Sequence, residues 1–148
     1  MPKSLWNARE RESVIERLGR LSPDARPRWG RMNAPQMLAH LARWMQMADG
    51  GMETADMKLP YRYPPLKQLV IYWLPWPQGV PTAPELVCTE QFDWASESAA
   101  VRRLVHTFEK RDPRAPWPVH PAFGKLTSRA WGVLGYRHID HHFRQFGV

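Results

Sequence analysis

A single cysteine, Cys88, is the only thiol in this chain of 148 residues. An internal disulfide is therefore excluded, and a reducing cytoplasm is the expected compartment. Long apolar runs are also missing. The longest, Leu69 to Trp76, falls far short of the ~20 residues needed to cross a bilayer, so no membrane partner is expected. The N-terminus turns charged at Arg9 and Glu10 without building the apolar run of a secretory signal. No extended Lys/Arg block and no recognised nucleic-acid motif is present. The 21 basic residues outnumber 14 acidic ones for a net charge of +7, but in the first helix the two signs are interleaved. Such a balance can attract nucleic acid, acidic lipid or anionic substrates. Spread out in this way it reads as an arginine-rich surface, and nucleic-acid binding is not expected. Strand signals are scarce too. Only Glu85 to Thr89 offers a short run that could pair, and nothing alternates convincingly.

What the chain does have is apolar and aromatic content. Hydrophobic residues make up 43% and aromatics 11%, with eight tryptophans. That suits one globular domain over residues 1–148 with a substantial core. Four long amphipathic segments stand out. Residues 4 to about 21 form the first, with Ser4 as its expected cap and Val14, Ile15, Leu18 and Leu21 at helical spacing. Asn33 caps the second, Pro35 sits harmlessly in its first turn, Gln36 completes a variant capping box, and Gly50-Gly51 ends it. Its stripe is Met37, His40, Leu41, Trp44 and Met47 or Ala48. The third is capped by Asp93 or Ser96, ends near Lys110, and buries Val101, Leu104, Val105 and Phe108, leaving His106 facing solvent. Thr127 caps the last, which runs to about Phe146. Between the second and third long helices lies a proline- and aromatic-rich connection with seven prolines from Pro60 to Pro84. Only Leu66 to Leu74 has room for a short helix. So long a connection often forms part of a site, and this one can pack across the helices and cover a pocket. The expected fold is all-α, a four-helix bundle.

The terminal helix carries the chemistry. His138 and His142 are four residues apart, which stacks two imidazoles on one helical face, a pincer for a transition metal. Trp131, Leu134 and Gln145 share that face, so it points inward. Buried histidines need partners; a metal supplies them, and so does an ordinary hydrogen-bond network. The metal reading gains from His40, which lies within the apolar stripe of another helix. His141 has a spacing that also allows ligation, but helix geometry sets it at the stripe's edge, facing a carboxylate or solvent. A three-histidine set suits Zn²⁺ or Ni²⁺ better than Fe²⁺, which favours a carboxylate ligand. Asp140, Gln145 and Glu53 are candidates to orient the imidazoles.

Three blocks carry a family resemblance: Arg28-Trp29-Gly30-Arg31-Met32-Asn33-Ala34-Pro35-Gln36-Met37-Leu38-Ala39-His40, His120-Pro121-Ala122-Phe123-Gly124-Lys125-Leu126-Thr127, and His138 to Gly147. On these the chain resembles the DinB-like superfamily, and within it a subgroup classified only as a domain of unknown function. The resemblance implies a four-helix bundle with a metal site. It maps the ligands to His40, His138 and His142, favouring His142 over His141. It also implies that homodimers are common and that relatives include transferases and isomerases using low-molecular-weight thiols, and others labelled metal-dependent hydrolases.

His120, in the second block, is the candidate general acid or base, although His120-Pro121 shaping the approach to the last helix is the stronger reading. Cys88 reads as buried packing rather than a ligand or nucleophile. Arg31, Arg137 and Arg144 can hold an anionic group, with surface roles favoured for each. The functions expected are a metal-dependent enzyme acting on a small molecule or, alternatively, a non-catalytic metal-binding or stress-response module.

Overall fold

Capping chemistry sets where the helices begin. In the computed structural model, which describes residues 1–148, Asn33 and Gln36 exchange side-chain and backbone hydrogen bonds at 2.9 Å each. They open α2 (Ala34–Ala48). Asp93 accepts from the Ser96 amide to open α4 (Trp94–Lys110), and Thr127 accepts from that of Ala130 to open α5 (Ser128–Gln145). Each cap satisfies a donor that the helix itself leaves unpaired. The remaining helices are α1 (Ala8–Arg20) and α3 (Leu66–Tyr72). The chain is all-helical, with five α-helices, two short 3-10 turns at Pro60–Arg62 and Pro84–Leu86, and no strands. The run Glu85 to Thr89 forms no strand and begins inside the second of those turns. The only bridge in the molecule joins His120 to Gly124. No helix is long and apolar enough to cross a membrane.

The four long helices pack on one another in pairs. α4 packs on α2 and α1, and α5 packs on the other side of the same two, with α3 resting on α5. One cluster of 30 buried residues fills the interior. Val101, Leu104, Val105 and Phe108 of α4 belong to it, as the helical period predicts, while His106 faces outward beside Glu109.

The start of α1 differs from expectation. Its cap is Asn7, not Ser4. The Leu5 amide donates to Gly132 O at 3.0 Å and the Trp6 indole to Ser128 O at 2.8 Å. These bonds hold Leu5 and Trp6 against α5 in a turn that the Asn7 amide closes on Ser4 O at 3.1 Å, so helical geometry begins only after them.

That docking requires Gly132 to lack a side chain. A Cβ there would lie 2.3 Å from Trp6 Cδ1 and 2.5 Å from Ser4 Oγ. Alanine in a helix interior normally gains up to about 1 kcal/mol over glycine. Here the indole cannot retreat, being hydrogen-bonded and packed edge-on against Phe108 at 5.2 Å. Overpacking of about 1–3 kcal/mol should win. Gly132→Ala is expected to lower the urea midpoint; a raised midpoint would show that Trp6 moves freely.

The proline-rich connection is tied down over α5. Arg137 donates to the carbonyls of Val70 and Ile71 at 2.8 Å and to that of Leu74, and its guanidinium stacks on Trp76 at 5.0 Å. The Met57 amide donates to Pro121 O at 2.8 Å. These contacts bring residues Pro75 to Ala83 across the end of the helices as one wall of a cavity.

Candidate metal centre

The spacing of the α5 histidines does what helical geometry requires: His138 and His142 stack on the inward face. His40 meets them from α2. The three rings form a near-equilateral triangle, with centroids 4.9 Å (His40–His138), 4.8 Å (His40–His142) and 4.9 Å (His138–His142) apart. One nitrogen from each lies within 4.8 Å of the others.

Outer hydrogen bonds orient two of the rings. His40 Nδ1 donates to Leu86 O at 2.8 Å, and His142 Nδ1 donates to Gln145 Oε1 at 2.7 Å. Gln145 is itself fixed by donating from Nε2 to Trp29 O at 2.7 Å. With the proton on Nδ1, each ring turns a lone pair on Nε2 toward the centre. His138 differs: its Nδ1 is buried with no partner. His40 Nε2 and His138 Nε2 stand 3.0 Å apart. Two nitrogens bound to one ion at ~2.0–2.1 Å would be about 2.9–3.4 Å apart. The cluster can therefore hold a metal ion.

The surroundings keep these rings neutral. Burial pushes His142 down to about 3, with neighbouring His40 adding to the effect. Burial likewise lowers His40, and it drives His138 well below the ordinary imidazole range, with His142 and His40 next in effect. Neutral imidazole is the form that binds metal.

The other sequence candidates separate cleanly. Of the three proposed orienting residues only Gln145 does so. Asp140 points away, to Arg17 at 2.7 Å and Arg144 at 2.9 Å, and Glu53 is exposed on the connection after α2. His141 finds neither a carboxylate partner nor open solvent. It is half-buried at the cavity wall, edge-on to Trp29 at 5.6 Å and tilted against Trp76 at 6.0 Å. Cys88 is buried, its thiol directed to Leu86 O at 3.6 Å and pushed up by burial; it is no part of the histidine cluster. Arg144 and Arg137 are engaged as described, whereas Arg31 is exposed and lines the cavity. The backbone carbonyl of Leu86 was invisible in the sequence, because an acceptor of that kind carries no side-chain signature.

The triangle opens into a cavity of about 720 Å³, within the size range of small-molecule sites. His120 lines it from the loop before α5. Its Nδ1 accepts from the amides of Ala122 at 3.1 Å and Phe123 at 3.2 Å, and its backbone pairs with Gly124 in both directions, at 2.9 and 2.8 Å. The ring thus shapes the loop, the structural role favoured from sequence.

Burial also pushes His120 down to about 3. An unfolded histidine titrates near 6.5, so below that pH the unfolded chain takes up a proton that the folded chain refuses. Stability from this group is complete above about 6.5 and is lost as pH falls toward 3, at up to about 1.4 kcal/mol per pH unit. In metal-free protein, His120→Asn is expected to remove about 2 kcal/mol of the stability lost between pH 6.5 and 5. Equal acid sensitivity of variant and parent in urea titrations would contradict it.

Comparisons with known proteins complete this picture. No curated protein and no solved structure matches the chain. A family model matches residues 5–147, spanning the loop before α2, His120 and the whole of α5. The chain therefore belongs to the family described as Protein of unknown function (DUF1569).

Proposed function

We propose that this chain is a metal-dependent enzyme of the DinB-like helical-bundle type, acting on a small molecule. His40, His138 and His142 hold a divalent transition ion, Zn²⁺ or Ni²⁺. The observation that carries the reading is the triangle of three neutral imidazoles facing one point at the end of a deep cavity. Three protein ligands leave a position open, the pattern of a catalytic rather than a structural site. When bound, such an ion lowers the pKa of a coordinated water or thiol toward neutrality and polarises a carbonyl.

The chain's own residues supply the rest. Leu86 O and Gln145 hold the rings of His40 and His142 in the tautomer that directs Nε2 inward. Trp44 and Trp76 pack beside His138, at 5.2 and 6.4 Å between centroids. The rings of His40 and His142 are thereby oriented, with an aromatic wall beside His138, before any substrate enters. The resemblance to thiol-using relatives makes transfer or isomerisation with a low-molecular-weight thiol one reaction class to assay; hydrolysis is the other.

Elemental analysis of the purified protein tests the metal. About one equivalent of Zn or Ni per chain is expected, removed by a chelator and restored by either ion. Protein that takes up no divalent metal after chelation and reloading would overturn the proposal.

A further inference from the structure

The walls of the cavity are unusual in what they omit. No aspartate or glutamate lines it. Its one formally charged lining residue is Arg31, exposed at the rim and engaged in no hydrogen bond or ion pair with the rest of the protein. The remaining surface is largely apolar and aromatic, with Trp29, Trp44, Tyr61, Trp76 and Phe123 among its members. Such a chamber offers no carboxylate to pair with a cationic ligand, and it offers flat surfaces to an apolar body.

Among its polar lining groups, His120 offers a donor of fixed identity. His120 is buried, and its Nδ1 is committed as an acceptor to two backbone amides. Its proton must therefore be on Nε2. That N–H makes no hydrogen bond with the protein, and the ring carrying it lines the cavity. Neighbouring rings fix its direction: Trp131 and Phe123 both lie 5.2 Å away. No protein group accepts from this N–H, so an oxygen of a molecule in the cavity can take it. The ring cannot rotate to offer a lone pair without stranding two amides, which rules out a base at this position and leaves a fixed donor.

The geometry points to a binding site for small carboxylates with an apolar, ring-bearing body: the His120 Nε2–H donates to the carboxylate oxygen, and the acid-free, aromatic walls take the rest of the molecule. The placement of the carboxylate beside the three imidazoles rests on the proposed metal centre; the binding itself does not.

The test uses the full chain, both zinc-loaded and stripped by chelator. Titration with 4-phenylbutanoate, 4-phenylbutan-1-ol and 4-phenylbutylamine is followed by tryptophan fluorescence. In the stripped protein the carboxylate is expected to bind about tenfold tighter than the amine or the alcohol, the effect of one charge-assisted hydrogen bond. His120→Asn keeps an acceptor for the Ala122 and Phe123 amides but withdraws the Nε2 donor, so it should abolish that preference without changing zinc stoichiometry. In the parent protein, carboxylate binding should shift the His120 Nε2–H resonance in ¹H–¹⁵N spectra, a readout independent of whether the variant folds. Equal binding of the three probes overturns the inference. So does a preference that persists in His120→Asn and disappears in Arg31→Ala, or an unmoved Nε2–H resonance at saturation. Zinc binding with no carboxylate preference sinks this inference alone; carboxylate preference in a protein that binds no metal sinks the metal centre alone.

Discussion

Trp131→Ala is expected to cost about 3–5 kcal/mol of unfolding free energy. Trp131 is fully buried and sits within the single core cluster. Its indole stacks on Trp117 of the link before α5 at 5.5 Å and leans on Trp44 of α2 at 5.6 Å and on His120 at 5.2 Å. Truncation removes the largest apolar surface in the core and leaves a cavity that these rigid rings cannot close. No hydrogen bond is lost, because the indole Nε1 has no partner; the whole effect comes from transfer and cavity terms. A domain of this size holds about 5–15 kcal/mol in total, so the variant should unfold at markedly lower urea concentration, with Tm down by about 6–20 °C. Trp131→Phe should cost much less, since it also removes a buried donor that makes no bond. A loss under about 1 kcal/mol for the alanine variant would mean the aromatic cluster repacks around the gap.

The inward face of α5 was legible in the sequence because its period is strict. Trp131, Leu134, His142 and Gln145 are all buried, and His138 lies on the same stripe. The third histidine of the cluster was legible for the same reason: His40 occurs in α2 where an apolar residue belongs. Capping residues located the starts of α2, α4 and α5, since each cap is local chemistry within four residues. The start of α1 was misread, and for a tertiary reason. Ser4 and Asn7 are both good caps, and the choice between them falls to α5, whose Gly132 carbonyl captures the Leu5 amide. Nothing within α1 encodes that.

The site was less legible than the fold wherever a group's role depends on direction. Asp140 and Gln145 both sit within three residues of a candidate ligand, yet Asp140 turns outward because Arg17 and Arg144 compete for its carboxylate. Gln145 turns inward because Trp29 O accepts from its amide. His141 was expected to meet a carboxylate or solvent; the proline-rich connection instead brings Trp76 over it. Arg144 lies one turn from Asp140 on α5, but Arg17, Trp29 and Trp76 each lie more than sixty residues from the group they direct, beyond the reach of periodicity.

The same contrast yields a graded test of the centre. His142→Ala deletes a proposed ligand and should leave no zinc on the protein after gel filtration, with α5 still helical by circular dichroism. Gln145→Leu keeps the ligand and most of the buried volume but cannot accept the His142 Nδ1–H now bonded at 2.7 Å. Without that acceptor the imidazole is free to exchange tautomers and swing, and zinc affinity should fall by about 10–100-fold. Asp140→Asn changes charge two residues from His142, one nearer in sequence than Gln145, but its carboxylate faces α1, so zinc affinity should stay within a few-fold of the parent. Competition with a chromophoric chelator gives all three dissociation constants. The order matters more than any one value: an Asp140→Asn loss equal to that of Gln145→Leu would mean that net charge, not orientation of the imidazoles, governs the metal.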